Sequence, residues 1–219
     1  MNEQQLDSVL RQTLPRAGTA WTRPRGCPCI ELCLFDPQCL DSPLSHDEAQ
    51  SVVEEPAYWS FCWASGQVMA SWLLDNPGWV RGRRVLDFGC GSGVVGIAAA
   101  MAGACEVLVA DLDATALLAT MINAARNGVC VTPVYDWREG EPPDLFLAAD
   151  VLYDPDNRPM LGDFQCHAGA VLMADSRLSH LGNDDYSLLT TREAHTWPDL
   201  QECEEFNRVR LYHAEGYRA

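Results

Sequence analysis

Residues 85–100 read VLDFGCGSGVVGIAAA, an apolar run that meets Asp87, then Gly89, Gly91 and Gly93, then a run of small helix-forming residues. Glycines at this spacing let backbone N–H groups approach a ligand closely. A phosphate-gripping P-loop needs Lys and Ser or Thr after its last glycine. Here Val94 and Val95 follow Gly93, so that chemistry is excluded. A dinucleotide site wants G-x-G-x-x-G and an acid at the end of the next strand. The loop here is G-x-G-x-G, and Asp111 closes VLVAD at the place for an acid that holds ribose hydroxyls. Asp87 decides between the remaining ligands. A carboxylate two residues before the first glycine opposes a pyrophosphate, whereas S-adenosylmethionine (SAM) carries an ammonium, a sulfonium and no phosphate. SAM is therefore the expected cofactor, and a dehydrogenase is disfavoured.

Two further groups fit that ligand. Asp136 and Trp137 end the apparent third strand in VYDW. The acid can accept from an adenine amino group, and the indole can stack on the ring. AADVLYD (148–154) ends the fourth strand, which brings Asp150 and Tyr153 to the carboxyl edge, where open parallel sheets bind ligands. That is where a methyl group would be delivered. An adenine-methylating enzyme would show Asn or Asp followed by Pro-Pro-Tyr there, and DVLY lacks the prolines.

The elements that must position these residues alternate. RRVLDF, CEVLVAD, VCVTPVYD, PDLFLAAD and GAVLMAD read as strands. VVGIAAAMAGA, ATALLATMINAARNG (closing on Gly128) and 156–166 read as helices. Alternation of this kind means a parallel sheet with helices on both faces. The tail, TREAHTW and then FNRVRLYHAEG, reads as two strands with no helix between them, an antiparallel hairpin finishing the sheet. The expected fold is α/β, a Rossmann-like seven-stranded, mostly parallel sheet. Before it, residues 1–60 form an extension, and 61–219 form the SAM-binding domain. Within the extension, 1–26 reads as a loosely packed arm with a short docking helix on Leu6, Val9, Leu10 and Leu14. CIELCLF reads as a strand, and Ser45 with Glu48 caps a helix over 45–55. Trp63, Val68, Trp72 and Leu73 share one face of the next helix.

Thirty-one acidic against 15 basic residues give a formal net charge of −16, which repels nucleic acid and favours basic partners. The longest uncharged run, Phe88 to Cys105, holds five glycines, and its helical part of about a dozen residues is too short to span a bilayer. The N-terminus has no apolar signal core. Of ten cysteines, Cys62, Cys90, Cys105, Cys130, Cys166 and Cys203 lie in or near regular elements and read as small buried hydrophobes. The Cys27-Pro28-Cys29 pair lacks a second pair at metal-ligand spacing, so no metal is expected. A reducing cytoplasm is the expected compartment.

PAYWSFCWASGQ, LLDNP, VLDFGCGSG, ADLDATALLATMINAARNG and ADVLYD together resemble the seven-strand, SAM-dependent protein-lysine methyltransferases with a D-x-x-Y motif. Within these, the chain looks most like the electron-transfer-flavoprotein β-subunit lysine methyltransferases and their bacterial relatives, over roughly residues 28–178. The resemblance implies that Trp63, Gly89 and its neighbours, Asp111, Trp137 and Ala149 line the SAM site. It implies that Asp150 and Tyr153 hold the incoming lysine of a protein substrate. Relatives often have Pro-Gly-Gly-Gln after the tryptophan, where this chain has Ala64-Ser65-Gly66-Gln67. A small-molecule N- or O-methyltransferase and a non-catalytic SAM-binding scaffold are the alternatives.

Overall fold

A computed structural model describes residues 3–152, 157–178 and 180–217. Its main sheet has seven strands in the order β5-β4-β3-β6-β7-β9-β8. These are β3 (Arg84–Phe88), β4 (Glu106–Ala110), β5 (Thr132–Val134), β6 (Leu145–Ala149), β7 (Ala170–Asp175), β8 (Ser187–Glu193) and β9 (Arg208–Glu215). The first five are parallel, and β9 pairs antiparallel with both β7 and β8, the expected terminal hairpin. The chain runs outward from β3 to β4 and β5, then returns to β6 on the other side of β3. This reversal opens a crevice at the carboxyl ends of β3 and β6.

The central strands are uninterrupted apolar runs because both faces are covered. Val85, Leu145, Leu147 and Leu172 point to one core with α3 (Ala64–Asp75) and α4 (Val94–Met101). Their neighbours Leu86, Phe146, Val171 and Met173 point to a second core with Phe164 of α6 (Met160–His167). β5 is shorter than the sequence suggests. Its central Pro133 gives no ladder hydrogen bond, which an edge strand tolerates.

The N-terminal segment is tightly packed rather than a loose arm. Leu6 and Leu10 of α1 (Glu3–Thr13), with Leu14 and Trp59, bury against Ala116, Ala119 and Ile122 of α5 (Ala114–Arg126). CIELCLF forms the strand β2 (Leu32–Phe35), but it has a partner that the sequence did not announce, β1 (Thr19–Thr22). β1 is half-buried throughout, so it carries no in–out alternation to betray it. The capping box at Ser45 and Glu48 is present and starts α2 (His46–Glu54). Asn123 of α5 accepts from the Cys33 N–H at 2.8 Å and donates to the Ser92 carbonyl at 2.9 Å, joining hairpin to glycine loop.

All ten cysteines are free thiols. Cys62 and Cys90 are buried as expected, but Cys105, Cys130, Cys166 and Cys203 are exposed. Proximity to an element placed them correctly along the chain and said nothing of which side they face. No helix among the described residues is long and apolar enough to cross a membrane.

Candidate active site

The glycine loop joins β3 to α4 at the crevice. Gly89 and Gly93 have φ of +67° and +82°, a region that strains L-residues with side chains. Each also leaves no room for a Cβ, which would stand 2.7 Å from Val151 Cγ1 at Gly89 and 2.7 Å from Thr120 Cγ2 at Gly93. Gly91 differs. A Cβ there would meet nothing nearer than the Gly89 carbonyl at 4.0 Å, so it would fill the open cradle above the loop.

Two carboxylates brace this loop. Asp87 is 2% exposed and accepts from the Gly96 N–H in the first turn of α4 at 2.8 Å. Burial pushes its carboxyl up to about 7, with repulsion from Asp111 adding and the Gly96 N–H opposing. Asp111, just past β4, accepts from the Gly91 N–H at 2.9 Å and the Asp113 N–H at 3.0 Å. Burial raises its pKa too, against those N–H donors. The two acids thus shape the loop as well as set its charge.

Across the crevice, Asp150 follows β6 with φ of +53°, a left-handed conformation that few non-glycine residues adopt and that clusters at functional sites. Its side chain is held from two directions. Oδ1 accepts from Ser65 Oγ at 2.6 Å, Ser176 Oγ at 3.0 Å and Ser176 N at 3.2 Å, and Oδ2 accepts from Ser65 N at 3.1 Å. An ionised carboxylate has about four acceptor positions shared by two oxygens, so Oδ2 keeps one to spare. Burial raises the Asp150 pKa, and the serine donors counter it. Ser65 is placed by the start of α3, which Gln67 anchors. Gln67 Nε2 donates to the carbonyls of Cys62 at 2.8 Å and His195 at 2.7 Å, and its Oε1 accepts from Gly26 N at 3.0 Å.

The other expected site residues sit as follows. Ala149 is the last residue of β6, beside Asp150. Trp63 is the half-buried residue before α3, its indole N–H donating to the Tyr58 carbonyl at 3.0 Å. Trp137 packs edge-on against Phe88, Phe146 and Phe164, and the Arg138 guanidinium lies 4.1 Å over its ring. Asp136 is exposed and accepts from the Arg138 N–H at 3.0 Å. Tyr153 lies outside the described residues. Sequence reasoning missed Ser65, Ser176 and Asp175. Asp175, fully buried at the end of β7, accepts from the N–H groups of Arg177 and Leu178 through Oδ1, while Oδ2 has no partner among the described residues. Burial holds its carboxyl at about 6, with the Leu178 N–H lowering and Asp150 raising it. The signal was available, since Asp175 closes the strand-like GAVLMAD and Ser176 follows it at the same carboxyl edge.

The raised Asp87 pKa predicts a stability trend. Between its unfolded value of 3.8 and its folded value of about 7, the native state binds a proton that the unfolded chain has released. That contribution is fully present below about pH 4 and disappears as pH rises to about 7. Asp87→Asn is expected to flatten the slope across this window, read as urea midpoints at several pH values. An unchanged slope would place the effect elsewhere.

Comparison with known proteins adds to this geometry. The sequence profile of the family described as "Ribosomal protein L11 methyltransferase (PrmA)" matches residues 73–148. The chain is 35% identical over 158 residues to the mouse (Mus musculus) electron transfer flavoprotein beta subunit lysine methyltransferase, covering 68% of this chain and 60% of that protein. It is 38% identical over 127 residues to the Xenopus laevis protein of the same description, covering 54% of this chain and 52% of that one. The chain thus spans about half to three-fifths of these relatives. The SAM-bound magnesium protoporphyrin IX methyltransferase of Synechocystis PCC 6803 shares the fold, with TM-score 0.53 and 19% identity over 81% of this chain and 86% of that one.

Proposed function

We propose that this chain transfers a methyl group from SAM to the ε-amine of a lysine in a protein substrate, the electron-transfer flavoprotein β-subunit being the first candidate from the relatives' names. The observation that carries the reading is the pairing across one crevice of a glycine cradle braced by Asp87 and Asp111 with Asp150 held opposite. The donor set fits the cofactor. Gly91 leaves a cradle that a side chain would fill, and carboxylates brace the loop. That suits a cationic ligand and opposes a phosphate.

Asp111 would hold ribose hydroxyls with its unused lone pairs, and Asp87 would face the ligand's positive charge from below the loop. Gly89, Gly91, Gly93, Trp63 and Ala149 would line the pocket, with Asp136 and Trp137 at the adenine end. SAM supplies a methyl group already activated on a sulfonium. The work left to the chain is to align a neutral amine. Free lysine has a pKa near 10.4, so deprotonation at neutral pH costs about 4–5 kcal/mol. Asp150, with Tyr153, would receive the ammonium and orient it. The spare acceptor position of Oδ2 matches that task. Water, or the Asp175 carboxyl at about 6, would take the proton.

The test is label transfer from methyl-labelled SAM into a lysate lacking this activity, resolved into protein and small-molecule fractions. The chain itself contains no lysine, all 15 of its basic residues being arginine. Methyl-lysine in a hydrolysed band therefore comes from a substrate and not from the enzyme. Label only in small molecules would overturn the protein-lysine reading. Asp111→Asn is expected to raise the Kd for S-adenosylhomocysteine (SAH) about 10-fold or more by calorimetry, since it weakens both the ligand contact and the Gly91 brace. Unchanged affinity would remove Asp111 from the site.

A further inference from the structure

Beyond Asp150 the carboxyl edge of the sheet opens into a cavity of about 820 Å³. It lies over β7, β9 and β8, on the side of Asp150 away from the glycine loop. Ser176, whose hydroxyl and N–H hold Asp150, forms part of its wall. The wall of the cavity is thus one hydrogen bond from the Asp150 carboxylate, and the space is large enough for several side chains.

Its charge is uneven once internal partners are counted. Arg177 is taken up by Glu202 at 2.5 Å and stacks 4.5 Å over Phe206. Arg210 donates to the Leu178 carbonyl at 3.1 Å. Among the described residues of its wall, Glu193, Glu204 and Glu205 are exposed and have no ion pair, against Arg208 and Arg210, whose carbonyl contact leaves its charge in place, so unpaired carboxylates outnumber unpaired guanidiniums three to two. A separate unmet demand borders the cavity. Among the described residues the Asp175 Oδ2 is buried without a partner, and the wall residues Ser176 and Arg210 are its chain neighbour and its cross-strand partner.

We infer that this cavity receives the residues flanking the target lysine and selects a cationic protein segment, whose arginine or lysine side chains meet Glu193, Glu204 and Glu205. The inference rests on the methyl-transfer reading for the identity of the lysine. The charge selection stands on the cavity alone. The overall charge of −16 draws the same kind of partner to the surface.

The test is fluorescence anisotropy with two labelled peptides, Arg-Gly-Lys-Gly-Arg and Glu-Gly-Lys-Gly-Glu, on the full chain with SAH present. The basic peptide is expected to bind about 10-fold or more tightly, and the preference should shrink with added salt. Glu193→Gln, Glu204→Gln and Glu205→Gln combined should remove it while leaving SAH affinity unchanged. All three are surface positions, where such changes cost little stability. Equal binding of the two peptides, or a triple variant within about twofold of the parent, overturns the inference. Spermine bound more tightly than the basic peptide overturns the assignment to a protein segment. A parent chain that transfers no methyl and binds no SAH, yet prefers the basic peptide, overturns the methyl-transfer reading and leaves the charge selection standing.

Discussion

Asp150→Asn is expected to lower methyl transfer about 100-fold or more while SAH binds within a few-fold of the parent. Asparagine is the informative replacement because it tolerates the left-handed backbone that residue 150 adopts, at φ of +53°. Its amide oxygen can still accept from the hydroxyls of Ser65 and Ser176. Two things are lost. The negative charge that would capture an ammonium is gone, and an NH₂ now faces the Ser65 N–H that donated to Oδ2. The first change removes the electrostatic capture of the substrate. The second costs about one hydrogen bond, roughly 1 kcal/mol of stability. Small displacements of an aligned group already cost about 100-fold in rate, so activity should fall far more than stability. Single-turnover transfer and SAH calorimetry on one preparation separate the two. Transfer within about fivefold of the parent, or SAH affinity lost in parallel, would overturn the assigned role.

The largest effect on stability is expected from Gly93→Ala. An L-residue at φ of +82° carries about 1–2 kcal/mol of backbone strain. The new methyl would also stand 2.7 Å from Thr120 Cγ2, 2.8 Å from its Oγ1 and 3.0 Å from its Cα. Rotating the threonine side chain does not relieve the last contact, because Cα belongs to the backbone of buried α5. Overpacking of this kind costs about 1–3 kcal/mol, so a total of about 3 kcal/mol or more is expected in urea unfolding. Gly91→Ala is the natural contrast. Its φ of +51° brings strain, but no packed atom lies closer than 4.0 Å. It should cost about 1 kcal/mol of stability and weaken SAH binding far more. If Gly91→Ala proved as unstable as Gly93→Ala, the space above the loop would not be a cradle.

Much of this was legible in the sequence for reasons that can be named. β3, the glycine loop, α4 and β4 are contiguous, and their periodicities, glycines and terminal acids are local signals. The β8–β9 hairpin was legible because no helical pattern separates its strands. What escaped depends on contacts between distant residues. Ser65 and Asp150 are 85 positions apart, and only the approach of α3 to β6 makes them partners. The Gln67 bridge from the N-terminal segment to the β8–β9 connection spans still more chain. Cys105, Cys130 and Cys203 escaped because a residue next to an element has no periodicity to tell which way it faces, and Cys166 because it lies on the exposed side of the short helix α6. The tightness of the N-terminal segment rests on the small residues of α5, whose spacing fits packing against a sheet or against another helix equally well.

The side-chain amide of Asn123, which grips Cys33 with one end and Ser92 with the other, links the β1–β2 hairpin physically to the glycine loop. A ligand that steadies the loop is expected to steady the β1–β2 hairpin by the part of that free energy that passes through these two hydrogen bonds. By reciprocity, prying the hairpin away taxes the ligand's affinity by an equal amount.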